Sequence, residues 1–293
     1  MTHIMQHLST LNMKLLCEPS IRLRRYARYH PELEYFFNYP VGYWIGIPEN
    51  GDINNIHVRA QHIVKHHGDH NPVIVIYSIP DRDFSGQHSA GGCKSESEYL
   101  KFIDIISREF AKGADPIIIV EPDALPSVWH KSHLLRQQRT QLIQNAIDIL
   151  NTNISNPYIY LDIGNPQWIL DTFDAGELLL EAGVNNTHGF SLNVSNFFDT
   201  ENCINYGTQI AEMVNKNFVI DTSRNGVGHL HKDSWCNPPD RKLGAAPTFD
   251  TGHEYVDAFL WIKPPTESDG ECNGGPKPGD IWPEYAIGLI NVI

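Results

Sequence analysis

Acidic side chains recur in this 293-residue chain at the points where short apolar runs end. Asp81 and Asp83 follow the run ending at Tyr77, Glu121 and Asp123 follow Val120, Asp162 follows Leu161, and Asp221 follows Ile220. Asn193 follows Leu192, while Lys263, Glu267 and Asp269 follow Ile262. Carboxylates gathered at one rim could bind a divalent cation through oxygen, or could divide acid and base roles in cleaving a glycosidic bond. In the second chemistry one protonated carboxyl donates to the leaving oxygen, and another carboxylate activates water or attacks. Trp44, Tyr77, Trp168, Trp235 and Trp261 favour that chemistry, because flat aromatic faces suit sugar rings. Each residue also has a plainer reading. An Asp just past a strand is more often a helix N-cap than a catalyst, and a Trp in such a chain is more often core.

Other reactive constellations are weaker. His62, His66, His67 and His70 cluster at a helix end and read as solvated surface, and His229 and His231 offer only alternate spacing, so no metal site is expected. No G-x-S-x-G elbow and no Cys/His nucleophile context occurs, which leaves acyl transfer unsupported. Five cysteines without a C-x-x-C or zinc-like spacing argue against a metal held by sulfur. No cofactor is implied.

The elements that must position the acids are legible as apolar, β-branched runs at 42–47, 72–77, 116–120, 158–161, 189–192, 218–220 and 258–262. Each reads as a strand buried on both faces. Amphipathic helices lie between them, as at 95–112, where Tyr99, Phe102, Ile103, Ile106 and Phe110 share a face, and at 132–151. Strands alternating with helices mean a parallel sheet, and about seven units favour a distorted, incomplete α/β barrel. The acids then sit at the C-terminal ends of its strands, the rim where barrels place their chemistry. Nothing reads as a linker, so one domain over 1–293 is expected, with 1–38 as an N-terminal extension packed on the barrel.

A net charge of -13 disfavours nucleic acid and anionic membrane as partners, since both need a basic face. No apolar run approaches the roughly 20 residues that span a bilayer, and the start MTHIMQHLSTLNMKLLCEPS lacks a signal-peptide core. That leaves a cytosolic protein or one whose leader has been removed; secretion is the expectation, and a monomer.

The blocks VIVIYSIPDRD, IIIVEPDALP, YLDIGNPQW, GFSLNVSNF, FVIDTSRNG, WCNPPDRKLGAAPT and DAFLWIKPPTESDG occur in this order. Together they resemble the signature of glycoside hydrolase family 6, the cellobiohydrolase II and endoglucanase family, over roughly residues 40 to 290. The resemblance implies a distorted β/α barrel that hydrolyses β-1,4-glucan with inversion. It makes Asp123 the general acid, Asp83 the group that keeps Asp123 protonated and relays a proton from water, and Asp269 the base or a stabiliser of ring charge. Tyr77 is implied beside the distorted sugar, Trp44, Trp168 and Trp235 as stacking platforms, and Asn193, Lys263 and Glu267 as sugar contacts. Asp162 and Asp221 are implied as structural carboxylates, with Arg82 and Arg224 pairing with the acids and orienting them.

Departures from the family pattern matter too. Phe84 stands where relatives commonly carry a cysteine, and SVWHKSH offers no partner, so that bridge is lacking; Cys236 and Cys272 match the second common bridge. Asn165 replaces a usual histidine, and Pro265-Thr266 a Gly-Gly. Only about a dozen residues separate Asp269 from Trp282, too few for a long roof over the cleft, so internal cutting by an endoglucanase is expected over a cellobiohydrolase. A glucan-binding domain that does not cut, associated with cellulose synthesis, is the further alternative.

Overall fold

The computed structural model describes residue 8, residues 13–47, residue 53, and residues 56–82, 91–228 and 235–290. Seven strands, β1 (Tyr43–Ile45), β2 (Val73–Ile76), β3 (Ile117–Val120), β4 (Tyr158–Asp162), β5 (Gly189–Leu192), β6 (Asn217–Asp221) and β7 (Val256–Leu260), pair in chain order, all parallel. The sheet curls until its edges meet. The Gly42 amide donates to Trp261 O at 2.9 Å, and the Trp44 indole N–H donates to Ile262 O at 2.9 Å. A Cβ on Gly42 would come within 2.3 Å of Ile262 O, so only glycine admits this approach. The expected distorted, seven-stranded parallel barrel is what forms.

Burial on both strand faces follows from the runs of Val and Ile. Val73, Val75, Ile117, Ile119, Tyr160, Val219, Ala258 and Leu260 fill the barrel interior. Their alternates Ile74, Ile76, Ile118, Val120, Ile159 and Leu161 face the surrounding helices. Those helices are α2 (Ile56–His66), α3 (Glu96–Phe110), α4 (His133–Asn153), α5 (Thr172–Glu181) and α6 (Thr200–Val214). Ser95, Ser132, Asp171 and Asp199 cap the last four, each accepting an amide of the first turn as N-cap side chains do.

At the chain's start, α1 (Ile21–Ala27) and a 3-10 helix at Pro31–Asn38 lay Leu23, Ala27, Leu33 and Phe36 against Trp261, Ile281 and Ala286, the last in α7 (Pro283–Ile290). Trp261 is therefore core: it is 2% exposed, its N–H donates to Ala245 O, and its ring lies 4.7 Å from that of Tyr39. That removes it from the sugar-stacking set. The seventh strand also starts earlier than its apolar run. Asp257 interrupts the pattern, but Tyr160 Oη and Asn217 Nδ2 donate to its carboxylate at 2.7 and 2.8 Å, so a polar residue is buried inside the strand at little cost. Among the described residues no helix is long and apolar enough to cross a membrane.

Cys236 and Cys272 are bridged across 36 residues, as the resemblance implies, and Cys17, Cys93 and Cys203 are free thiols. Replacing both bridged cysteines by serine is expected to lower stability by about 2–4 kcal/mol. Urea unfolding of the two proteins checks this, and an unchanged midpoint would show that the bridge constrains nothing.

Candidate active site

The acids come together because each follows a parallel strand, and the strand ends form one rim. Asp123, partly exposed, is held in the left-handed region at φ 72° in the turn after β3. Its amide donates to Asp162 Oδ2 at 2.8 Å, and the same oxygen accepts the Gly164 amide at 3.2 Å, while Oδ1 accepts from Ser191 Oγ. Burial pushes the Asp162 carboxyl far above its usual range, and the negative charge of Asp123 adds to the rise. Two neighbouring carboxylates resist ionising together, which is why the charge of Asp123 raises its buried neighbour. Asp162, expected only as a structural acid, is thus the neighbour through which Asp123 feels a second charge. Asp83, expected in that role, lies outside the described residues, as do Phe84, His229 and His231.

Asp269 has the opposite surroundings. Its Oδ2 accepts from Arg224 Nη1 at 2.8 Å and from the Asn237 amide at 3.0 Å, and Lys263 Nζ lies 3.7 Å from Oδ1. Burial alone would raise this carboxyl, but Arg224 and then Lys263 reverse that and hold it below the usual range. Arg224 is itself fully buried, with its other amino group on Ser195 O and its guanidinium over the Phe197 ring at 4.4 Å. Asp269 is a locked anion. That makes it a poor proton acceptor and a good source of fixed negative charge.

Asp221 serves the scaffold. Its oxygens accept the amides of Ser195, Lys263 and Ser223, each at 3.0 Å, so it ties the loops after β5, β6 and β7 together. Asn193, expected at the sugar, is likewise structural. It is 0% exposed, donates to Phe198 O and Asp221 O, and accepts the Phe198 amide, so both Nδ2 hydrogens are used and the group is shut away from solvent. Sequence reasoning placed Glu121 at the rim but gave it no role; it is 0% exposed and receives the amides of Ser78 and Ile79. Asn237, whose Oδ1 accepts the Asp269 amide at 2.8 Å, was passed over. A Glu beside a Pro at a strand end carries no local signal of burial.

Tyr77, Trp44 and Lys263 form one wall. The Trp44 and Tyr77 rings meet edge to face at 5.3 Å, and Lys263 Nζ lies 5.9 Å over Trp44. The Arg82 guanidinium lies 4.6 Å over the Tyr77 ring and donates to Tyr77 O. Trp168 is half-buried against Gly164, where a Cβ would come within 3.0 Å of its ring. Trp235 is 43% exposed. Burial pushes the Glu267 carboxyl up, with Lys263 pulling it back. Among the described residues no three His, Cys, Asp or Glu side chains converge as a metal site.

The profile of Glycosyl hydrolases family 6 matches residues 25–292. Endoglucanase A of Cellulomonas fimi is 41% identical over 218 residues, covering 74% of this chain and 46% of that protein. Endoglucanase 1 of Streptomyces halstedii is 38% identical, covering 75% of this chain and 68% of that protein. The chain therefore spans about half to two thirds of the length of these relatives. Among solved structures, an endoglucanase of Mycobacterium tuberculosis, in complex with methyl-cellobiosyl-4-deoxy-4-thio-β-D-cellobioside, superposes with a TM-score of 0.86 at 34% identity. That match covers 96% of this chain and 97% of the other.

The locked state of Asp269 is testable. A depressed carboxyl contributes stability above its ordinary 3.8 that disappears as pH falls through the folded-state value. Arg224→Leu leaves that anion buried with only Lys263 at 3.7 Å and the Asn237 amide as partners, and is expected to cost about 3–5 kcal/mol at pH 7. The deficit should shrink towards about pH 4, where the abandoned carboxyl can take up a proton. Urea unfolding at both pH values decides; an equal deficit at each would mean that Arg224 does not hold Asp269 ionised.

Proposed function

The chain belongs to the family Glycosyl hydrolases family 6, and on that premise we propose that it is an inverting endo-β-1,4-glucanase acting on cellulose or a related β-glucan. Asp123 is the general acid. The observation that carries this assignment is its left-handed turn, held by Asp162 Oδ2, which keeps a second carboxylate beside it. Inverting hydrolysis needs one acid that stays protonated in the ground state and a second group that takes the proton of the attacking water.

In this reading a glucan chain lies along the rim, with sugar faces on Trp168 and the exposed Trp235, and the reacting ring beside Tyr77 and Trp44. Asp123 gives its proton to the glycosidic oxygen as the C–O bond breaks, so the departing chain leaves as a neutral alcohol. Positive charge grows on the ring, and the locked anion of Asp269 stabilises it; water attacks the opposite face, and its proton passes to Asp83. Lys263 and Glu267 hold sugar hydroxyls. The short segment between Asp269 and Trp282 supports an open cleft and internal cutting, as do the names of the curated relatives. The Cys236–Cys272 bridge supports an oxidising, extracellular place of action, and a monomer suffices for the site described.

The wild type is expected to lower the viscosity of carboxymethyl-cellulose quickly, with few reducing ends released, and to produce the α-anomer from cello-oligosaccharides by NMR. Asp123→Ala should lose at least about 100-fold of that rate and still bind the oligosaccharide. Slow thinning with steady release of cellobiose would overturn the endo mode. A wild type that binds glucan but does not cut it would replace the enzyme with a binding domain.

A further inference from the structure

The acid-bearing turn after β3 holds a second carboxylate that the reaction as drawn does not use. Glu121 sits at the end of β3, two residues before Asp123, with left-handed φ 49° and no exposure to solvent. Its amide still completes the sheet, donating to Ile76 O at 2.8 Å, and its carbonyl accepts the Ala124 amide at 3.0 Å. The side chain turns back towards β2. Both carboxylate oxygens accept the Ser78 amide at 2.9 Å, and Oε2 also accepts the Ile79 amide at 3.0 Å.

Those amides belong to the residues that directly follow Tyr77. Ser78 is tied further: its hydroxyl accepts the Ile47 amide at 3.0 Å, and its carbonyl accepts the Cys93 amide at 2.8 Å. One buried carboxylate therefore joins the ends of β2 and β3, and Ser78 extends the tie to the end of β1. Around it stand the Tyr99 hydroxyl from α3, Arg139 from α4, Arg82 from the loop after β2, and the Cys93 thiol. Burial pushes the Glu121 carboxyl up to about 7, against its two amide donors.

We propose that Glu121 is a positioning residue for hydrolysis, setting the segment of Tyr77 against the turn of Asp123 so that the reacting sugar and its proton donor stay in register. The inference rests on Asp123 being the acid. A hydrogen-bonded carboxylate at a rim of strand ends could serve stability alone, so the decisive property is how its loss divides between binding and chemistry. Misplacement of a reacting group by about an ångström costs rate far more than it costs binding.

Glu121→Gln keeps the shape but replaces one accepting oxygen with an NH2 that meets the loop amides donor to donor. With cello-oligosaccharides, kcat is expected to fall about 10- to 100-fold while KM changes by less than about threefold. Glu121→Asp, which keeps a carboxyl on a shorter arm, should recover part of that loss. Hydrogen exchange should show the Ser78 and Ile79 amides opening at least about tenfold faster in the Gln variant, with β4 and β5 unchanged. A carboxyl raised on folding stabilises below its ordinary 4.5 and loses that contribution as pH climbs through about 7. The drop in melting temperature from about pH 5 to pH 8 should therefore be shallower in the Gln variant.

An active wild type whose Gln variant turns over at the same rate, however much less stable, overturns the positioning role and leaves the enzyme reading intact. A rise in KM with kcat preserved overturns it as well, since the residue would then serve binding. A wild type that holds glucan without cutting it ends both readings together.

Discussion

The structure hangs on backbone amides at the ends of parallel strands, and on the buried carboxylates that receive them. Past its last ladder bond, each strand enters a loop whose N–H groups have no sheet partner. Unpaired amides in the interior are costly, so partners must come from side chains. Glu121 takes those of Ser78 and Ile79, Asp162 those of Asp123 and Gly164, and Asp221 those of Ser195, Ser223 and Lys263. Each carboxylate fixes its neighbour's loop as well as satisfying it. The rim becomes a belt of loops tied strand to strand.

The same burial that makes these ties strong sorts the acids chemically. Taken from water, a carboxylate prefers to hold its proton, and Glu121, Asp162 and Asp221 all shift in that direction. Asp269 escapes only because Arg224 and Lys263 lie within reach. One rim therefore contains buried acids whose carboxyls are shifted up and one, Asp269, that is held down by two cations, a separation of acid strengths of the kind that acid-assisted cleavage uses. The difference arises from where two cations stand.

Much of this was legible from the residue pattern. The apolar runs located all seven strands, because a strand buried on both faces must be apolar throughout, and the amphipathic patterns at 95–112 and 132–151 located two of the helices. The acids at the run ends located the rim. What escaped notice depends on partners distant in sequence. The seventh run was read only from 258, past Asp257, because Tyr160 and Asn217, which satisfy that acid inside β7, lie 97 and 40 residues away. Asn193 looked like a sugar contact because nothing local says that its amide is consumed by Phe198 and Asp221. Trp261 has a sugar-binding residue's chemistry and a core residue's address, set by the N-terminal helices that cover it.

The rim is also where the backbone is forced. Glu121, Asp123, Asn193 and Ser195 hold φ of 49°, 72°, 67° and 59°, a region that costs a residue with a Cβ on the order of 1–3 kcal/mol. Such turns persist only where surrounding bonds leave no alternative. At Asp123 and Ser195 the bond is to a buried carboxylate, through the residue's own amide; at Asn193 the side chain is pinned to Phe198; at Glu121 the side chain is the tie. Strain and restraint therefore coincide residue by residue. A loop so held cannot drift by the ångström that separates a proton donor in reach of a glycosidic oxygen from one that is not, and this rim reaches that precision by binding loop to loop rather than by placing its acid inside a strand.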